Sequence, residues 1–254
     1  MKLNRIEYEG PEGTPLVIVH GLFGSARNWT AIAKRLAAAR PVVAVDLRNH
    51  GDSPRDRAHG YEEMAADLGE VVADLGGKAD ILGHSMGGKV AMVFALAQPD
   101  AVRRLIVADI APVAYEHTQI GYVEALQGLD LSGLTRRSEA DRRLAASVPE
   151  PGVRAFLLQS LLLGEGEPSW KLNLDVLGAE MPRIMGFPEV EGRFEGPVLF
   201  LRGGASDYVQ DSHAEAIRAL FPQAEIAALA GAGHWLHAEQ PQAFAEAVNA
   251  FLSR

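Results

Sequence analysis

Short apolar runs rich in β-branched side chains recur along the chain, with helix-length intervals between most of them. Asn4 to Tyr8, Leu16 to Val19, Val42 to Asp46, Asp80 to Leu82, Arg104 to Ala108, Val198 to Leu201 and Glu225 to Leu229 read as strands. Leu16-Val17-Ile18-Val19 lacks polar alternation, which suits a strand buried on both faces. The intervals carry helical patterns, such as Gly88-Lys89-Val90-Ala91-Met92-Val93-Phe94-Ala95. This alternation predicts an α/β fold, a mainly parallel central sheet flanked by helices, with its site at the carboxyl ends of the strands. Few residues precede Leu16, so an antiparallel start to the sheet must be short or incomplete.

The pattern breaks between Asp109 and Pro197, where roughly ninety residues show no clear strand; so long a loop inside a compact domain needs structure of its own. Ser138-Glu139-Ala140-Asp141 resembles a capping box opening a helix to Ala146, and Val153 to Leu163 reads as an apolar helix stopped by Gly164. The expectation is a single domain over residues 1–254, with a helical cap inserted at about 112–195 and folded over the strand ends. Such a lid excludes water and shapes the substrate space. Phe156 and Trp170 are expected in the core of that cap.

Composition narrows the chemistry. With 254 residues and 48% hydrophobic content the chain can bury one large core. It has no cysteine, so a disulfide framework, a thiolate nucleophile and Cys-ligated metal are excluded, and a nucleophile must be an oxygen. A net charge of −9 disfavours a nucleic-acid partner, because that binding draws on basic surface. The first residues lack a signal-peptide pattern, and no apolar run approaches the ~18 residues of a membrane span. A cytoplasmic protein is expected.

Gly83-His84-Ser85-Met86-Gly87 lies between a strand-like and a helix-like run. Glycines two residues either side of Ser85 permit a tight strand-to-helix turn, the nucleophile elbow of an α/β-hydrolase. The turn lifts the serine hydroxyl above the sheet and presents the Met86 N–H to a developing oxyanion. His20-Gly21-Leu22-Phe23-Gly24 follows an earlier strand and offers the Leu22 N–H as the second donor. Late in the chain, Gly233-His234-Trp235 sits in a glycine-containing loop, with His234 as the expected base. Two carboxylates compete as its partner: Asp109, ending one strand, and Asp207, in Gly203-Gly204-Ala205-Ser206-Asp207 after another. His84 is assigned a supporting role, and Asp46, Arg48 and His50 are read as tethering a loop. His237 follows His234 by three but lacks a third ligand at metal spacing, so no metal or other cofactor is expected. Arg136, Arg137, Arg142 and Arg143 could meet an anionic headgroup; the interleaved Glu139 and Asp141 favour a solvated helix face.

Together with Asp46-Leu47-Arg48-Asn49-His50-Gly51-Asp52-Ser53, Gly87-Gly88 and Asp109-Ile110-Ala111-Pro112, these motifs resemble those of the YbfF-like esterases of the α/β-hydrolase superfamily. The resemblance runs from residue 20 to 235. It implies an α/β-hydrolase fold and hydrolysis of small-molecule carboxylic esters or thioesters through an acyl-enzyme, without cofactor. It also implies that the acid is carried after the Arg104–Ala108 strand, which favours Asp109; the common superfamily position favours Asp207, and Asp109 is preferred because the resemblance is the more specific guide. Two other classes remain beside the esterase: another reaction on the same scaffold (C–C hydrolysis, a lyase step or cofactor-free haloperoxidation), and a slow-turnover ligand-binding protein.

Overall fold

The computed structural model describes residues 1–164 and 166–254. Its strands are β1 (Arg5–Tyr8), β2 (Leu16–Val19), β3 (Val42–Val45), β4 (Ala79–His84), β5 (Val102–Ala108), β6 (Leu161–Leu162), β7 (Ser169–Trp170), β8 (Val198–Gly203) and β9 (Ala224–Leu229). Seven of them form one sheet in the order β1-β3-β2-β4-β5-β8-β9. Every pairing is parallel except that of β1 with β3. The short antiparallel start is thus a single edge strand. Four strands outrun their apolar signals: β4 reaches His84, β5 begins at Val102, β8 reaches Gly203 and β9 begins at Ala224, because ladder partners continue past the branched residues.

Both faces of β2 are buried, as its unbroken apolar pattern requires. Leu16 and Ile18 join one core with Val42, Leu82 and Ile106, covered by α1 (Thr30–Leu36) and, near the C-terminus, by the long helix Pro241–Leu252. Val17 and Val19 point into the other core, with α2 (Tyr61–Asp74) and α3 (Met86–Ala97). Each such side chain contributes roughly 1.5–3 kcal/mol when removed from water. Since α3 is sandwiched between sheet and neighbours, it is apolar nearly all round.

The segment between β5 and β8 carries α4 (Ile120–Gln127), α5 (Arg137–Leu144), α6 (Pro151–Leu157), α7 (Leu174–Ala179) and α8 (Met181–Met185). Val123, Leu126, Leu157 and Leu177 share the core of α2 and α3, so this segment packs on one face of the sheet.

Three local expectations need correction. The helix near Ser138 begins at Arg137 with Arg136 at its N-cap and no capping side-chain bond, so Ser138 lies inside it and no capping box forms. Val153 to Leu163 is not one helix: α6 ends at Leu157, Leu158–Ser160 is a tight 3₁₀ turn, and Leu161 pairs with Trp170 across the short β6–β7 ladder. An unbroken apolar run does not distinguish helix from strand, and here tertiary pairing decided. That ladder also places a short strand pair where none was expected. Among the described residues, no helix is long and apolar enough to cross a membrane.

The loop after β3 seats the inserted segment. Asp46 accepts hydrogen bonds from Asn4 Nδ2 at 2.7 Å and from the backbone N–H groups of Ala26 and Asp52. Arg48 grips Asp67 through two nitrogens, at 2.7 and 2.9 Å. Asn49 Oδ1 accepts from Asn173 Nδ2 at 2.9 Å, and Arg55 donates to the Trp170 carbonyl at 2.7 Å. The tethering read for Asp46 and Arg48 is what these contacts do.

Candidate active site

Ser85 follows directly on β4 and caps α3 with φ +52° and ψ −124°. For a residue with a Cβ that backbone costs of order 1–3 kcal/mol, so its neighbours must hold it. They do so by close approach: a Cβ on Gly87 would lie 2.3 Å from the His20 carbonyl oxygen, and one on Gly83 would lie 2.2 Å from that of Gly87. Phe23, Asn49 and Asp109 are also non-glycine residues at positive φ, one in the loop after each of β2, β3 and β5. Strain is thus concentrated at the carboxyl ends of the inner strands, which the sequence revealed only at Ser85.

His234 Nε2 lies 3.0 Å from Ser85 Oγ, and His234 Nδ1 lies 2.8 Å from Asp109 Oδ2. Asp109 is fully buried and also accepts from the Gly203 N–H at 2.8 Å and from the Ser206 hydroxyl. Its own N–H donates to the Leu201 carbonyl, so β5–β8 pairing aims the carboxylate. Asp207 is exposed, and the structure does not bring its carboxylate to His234. The N–H groups of Leu22 and Met86 find no acceptor among the described residues, and both residues line the cavity over Ser85. Gly21 brings the first loop near, since a Cβ there would sit 3.1 Å from that of Ser85.

Histidines support the strand-end loops. His20 Nδ1 donates to the Gly21 carbonyl while Nε2 accepts from the Leu47 N–H at 3.0 Å. His50 Nε2 accepts from Phe23 N–H at 3.3 Å, and His84 Nε2 donates to the His234 carbonyl at 2.8 Å. Burial lowers the pKa of His20 and pushes those of His50 and His84 well below the ordinary value, so these rings stay neutral in their structural roles. His237 stacks on Trp29 with ring centres 4.1 Å apart, and burial pulls it down to about 3. Among the described residues no group of three or more His, Cys, Asp or Glu side chains is arranged to hold a metal ion.

The cavity walls are mostly apolar. Leu22 contributes from the strand-end loops, and Val153, Phe156, Leu157, Ile184 and Met185 from the inserted segment. Phe156 therefore faces the cavity, contrary to its expected place in the cap core, while Trp170 is buried and donates to the Leu126 carbonyl at 3.1 Å. Of the arginine cluster, Arg137 holds the Leu158 and Leu161 carbonyls and Arg143 pairs with Glu139.

Several lining residues fall outside the candidates read from the sequence, Lys89 and Tyr208 among them. Lys89, one helical turn beyond Ser85, is 1% exposed and donates from Nζ to the Met185 and Gly186 carbonyls, joining α3 to the end of α8. Its position inside an apolar run was the available signal. Tyr208 lies beside the singled-out Asp207, and its ring stacks on His234. No local pattern marks it.

Residues 16–247 match the Alpha/beta hydrolase family. The chain is 44% identical over 247 residues to the sn-1-specific diacylglycerol lipase ABHD11 of Mus musculus, covering 94% of this chain and 80% of that protein. It is 38% identical over 244 residues to Esterase YbfF of Escherichia coli (strain K12), covering 94% and 93% respectively. Among solved structures, the "Marine microorganism esterase" superposes with a TM-score of 0.94 at 39% identity, covering 98% of this chain and 99% of that one. The chain belongs to the alpha/beta hydrolase family.

Proposed function

We propose that this alpha/beta hydrolase cleaves small-molecule carboxylic esters through an acyl-enzyme on Ser85, with His234 as base and Asp109 as its partner. The enzyme is a carboxylester hydrolase, as its esterase and lipase relatives over nearly the full chain support. The observation that carries the assignment of roles is the Ser85–His234–Asp109 relay, at 3.0 and 2.8 Å, beneath an apolar cavity.

In this reading His234 Nδ1–H donates to Asp109, which leaves the Nε2 lone pair facing the Ser85 hydroxyl. Ser85 Oγ attacks the ester carbonyl carbon as Nε2 takes its proton. The carbonyl oxygen becomes an oxyanion within reach of the Leu22 and Met86 N–H groups, each worth about 3 kcal/mol by comparison with measured donors. Collapse breaks the bond to the alcohol, which leaves with the proton from His234. Water then repeats the sequence on the acyl-enzyme and releases the acid. An acyl thioester would follow the same steps with a thiol as leaving group. Residues 112–195 act as the cap in this scheme, supplying the apolar wall that receives the acyl or alcohol chain and limits water.

A fluorophosphonate probe followed by intact mass tests the nucleophile. One adduct on the wild-type chain and none on Ser85→Ala is expected, with kcat on a short p-nitrophenyl ester falling by about 10⁶. Labelling that persists in Ser85→Ala overturns the assignment.

A further inference from the structure

Tyr208 occupies the loop after β8, and its ring centre lies 3.9 Å from that of His234 with the planes inclined by only 19°. The contact is fixed from three directions. Its carbonyl accepts from the Tyr115 hydroxyl at 2.6 Å, and that hydroxyl in turn accepts from the Ala111 N–H at 2.9 Å. Its own hydroxyl accepts from Gln119 Nε2 at 3.2 Å and bonds His117 Nε2 at 3.0 Å. Its N–H donates to Ser206 Oγ, the hydroxyl that also bonds Asp109. One ring is therefore tied to the imidazole, to the carboxylate loop and to the entry of the inserted segment.

We propose that Tyr208 is a positioning residue for His234, its ring face holding the imidazole in line between Ser85 and Asp109 and favouring the imidazolium that forms as Ser85 is deprotonated. This rests on the assignment of His234 as base. The physical reason lies in the ring quadrupole. A phenol face attracts a cation stacked over it, and the attraction strengthens where water is excluded. Neutral imidazole gains little from the same face, so the contact is worth most when the proton has moved, which is the condition for accelerating a step rather than merely binding. Holding the ring also matters, since Nε2 must keep its line to Ser85 while Nδ1 keeps Asp109. Because the hydroxyl reaches His117 and Gln119, a chain that displaces the entry of the inserted segment also loosens the ring that orders the base.

Other charged or titratable groups surround the pair. Asp109 and His84 face His234, and His237 packs on His84; His117 bonds the far end of Tyr208; Tyr115, which carries Lys89 over its own ring, lies 5.4 Å from Tyr208. Burial moves the pKa of His84, His237 and His117 downward.

The test compares Tyr208→Leu, which keeps an apolar but smaller side chain and removes both the aromatic face and the hydroxyl, with Tyr208→Phe, which keeps the face and removes only the hydroxyl. Profiles of kcat/KM on a short p-nitrophenyl ester, read at the isosbestic wavelength, are expected to show the acid limb of Tyr208→Leu displaced to lower pH by about half a unit. Its plateau falls roughly tenfold. Tyr208→Phe retains the wild-type limb and loses only a few-fold in kcat. Tyr208→Met replaces the leucine variant if that fails to fold. A wild-type limb in the leucine or methionine enzyme, or a phenylalanine enzyme displaced as far as they are, overturns the proposal. Ser85→Ala and His234→Ala run alongside: activity surviving in either defeats the underlying assignment, whereas two dead controls beside an unperturbed Tyr208→Leu enzyme defeat only the role of Tyr208.

Discussion

Asp109 and Phe156 reach the same site from opposite sides, and they are held in different ways. Asp109 is fully buried, sits at positive φ, and takes three hydrogen bonds besides the backbone pairing that aims it. Phe156 is half-buried and meets the cavity and the Trp235 ring, 5.8 Å away, through apolar contact. The strand-end loops thus carry groups whose direction matters to a fraction of an ångström. The inserted segment supplies a mostly apolar wall. In the proposed function the directional chemistry sits at the strand ends and selection of the substrate on short helices, which share the core of α2 and α3 and are also tied down by polar contacts that include Asn49–Asn173, Arg55–Trp170 and Lys89 with the end of α8.

The contrast is broken most sharply at the carboxylates. Asp109→Asn should lower kcat by up to about 10⁴, because an amide at Nδ1 favours the wrong imidazole tautomer. Asp207→Asn, on an exposed side chain, should stay close to wild type. Steady-state rates of both variants on one ester decide it, and a crippled Asp207→Asn enzyme beside a near-normal Asp109→Asn enzyme reverses the assignment.

Across the cavity the expected effect is smaller and of another kind. Phe156→Ala should raise kcat/KM for long acyl chains relative to the shortest by roughly tenfold, the scale of a few methylenes in an apolar pocket. A series of p-nitrophenyl esters of graded length reads this ratio. Equal loss at every length would mean that the wall also supports the strand-end loops.

The smallest effect is expected at the join. Burial pulls the Lys89 ammonium from its ordinary 10.5 down to about 7. Between those values the unfolded chain holds a proton that the native state has released, so stability rises with pH across that window. Wild-type Tm should therefore climb between about pH 7 and pH 9.5, and Lys89→Met should flatten the climb by a few degrees in scanning calorimetry. Parallel slopes in the two proteins would show that Lys89 keeps its proton when folded.

The residues themselves explain what was legible beforehand. Leu16–Val19 and Val42–Val45 were plain as strands because burial on both faces leaves an unbroken branched run. Ser85 stood out because its backbone demands glycine at 83 and 87, a local requirement written within five residues. Val153–Leu163 misleads because its apolar positions suit either helix or strand, and Ser138 misleads because a capping side chain acts only from a residue whose own backbone is extended, which here is Arg136. Lys89 and Tyr208 carry no signal of this kind because their importance lies in partners about ninety-six and twenty-six positions away, beyond any periodicity.

The sequence by itself determined the alternation of strand and helix, the turn at Ser85, the glycine loops that bring Leu22 and His234 to the same sheet edge, and an oxygen nucleophile in a chain without cysteine. All of these follow from periodicity, backbone sterics and composition, which act over a few residues or over the whole chain at once. Only the tertiary structure decided which carboxylate meets His234, which aromatic lines the cavity and which ring stacks on the imidazole. Asp109 and Asp207 both follow parallel strands, and in one dimension only the family resemblance separates them, in favour of Asp109. The pairing of β5 with β8 turns Asp109 under His234 through the Leu201 carbonyl and the Gly203 N–H, while the loop beyond Gly203 leaves Asp207 in solvent.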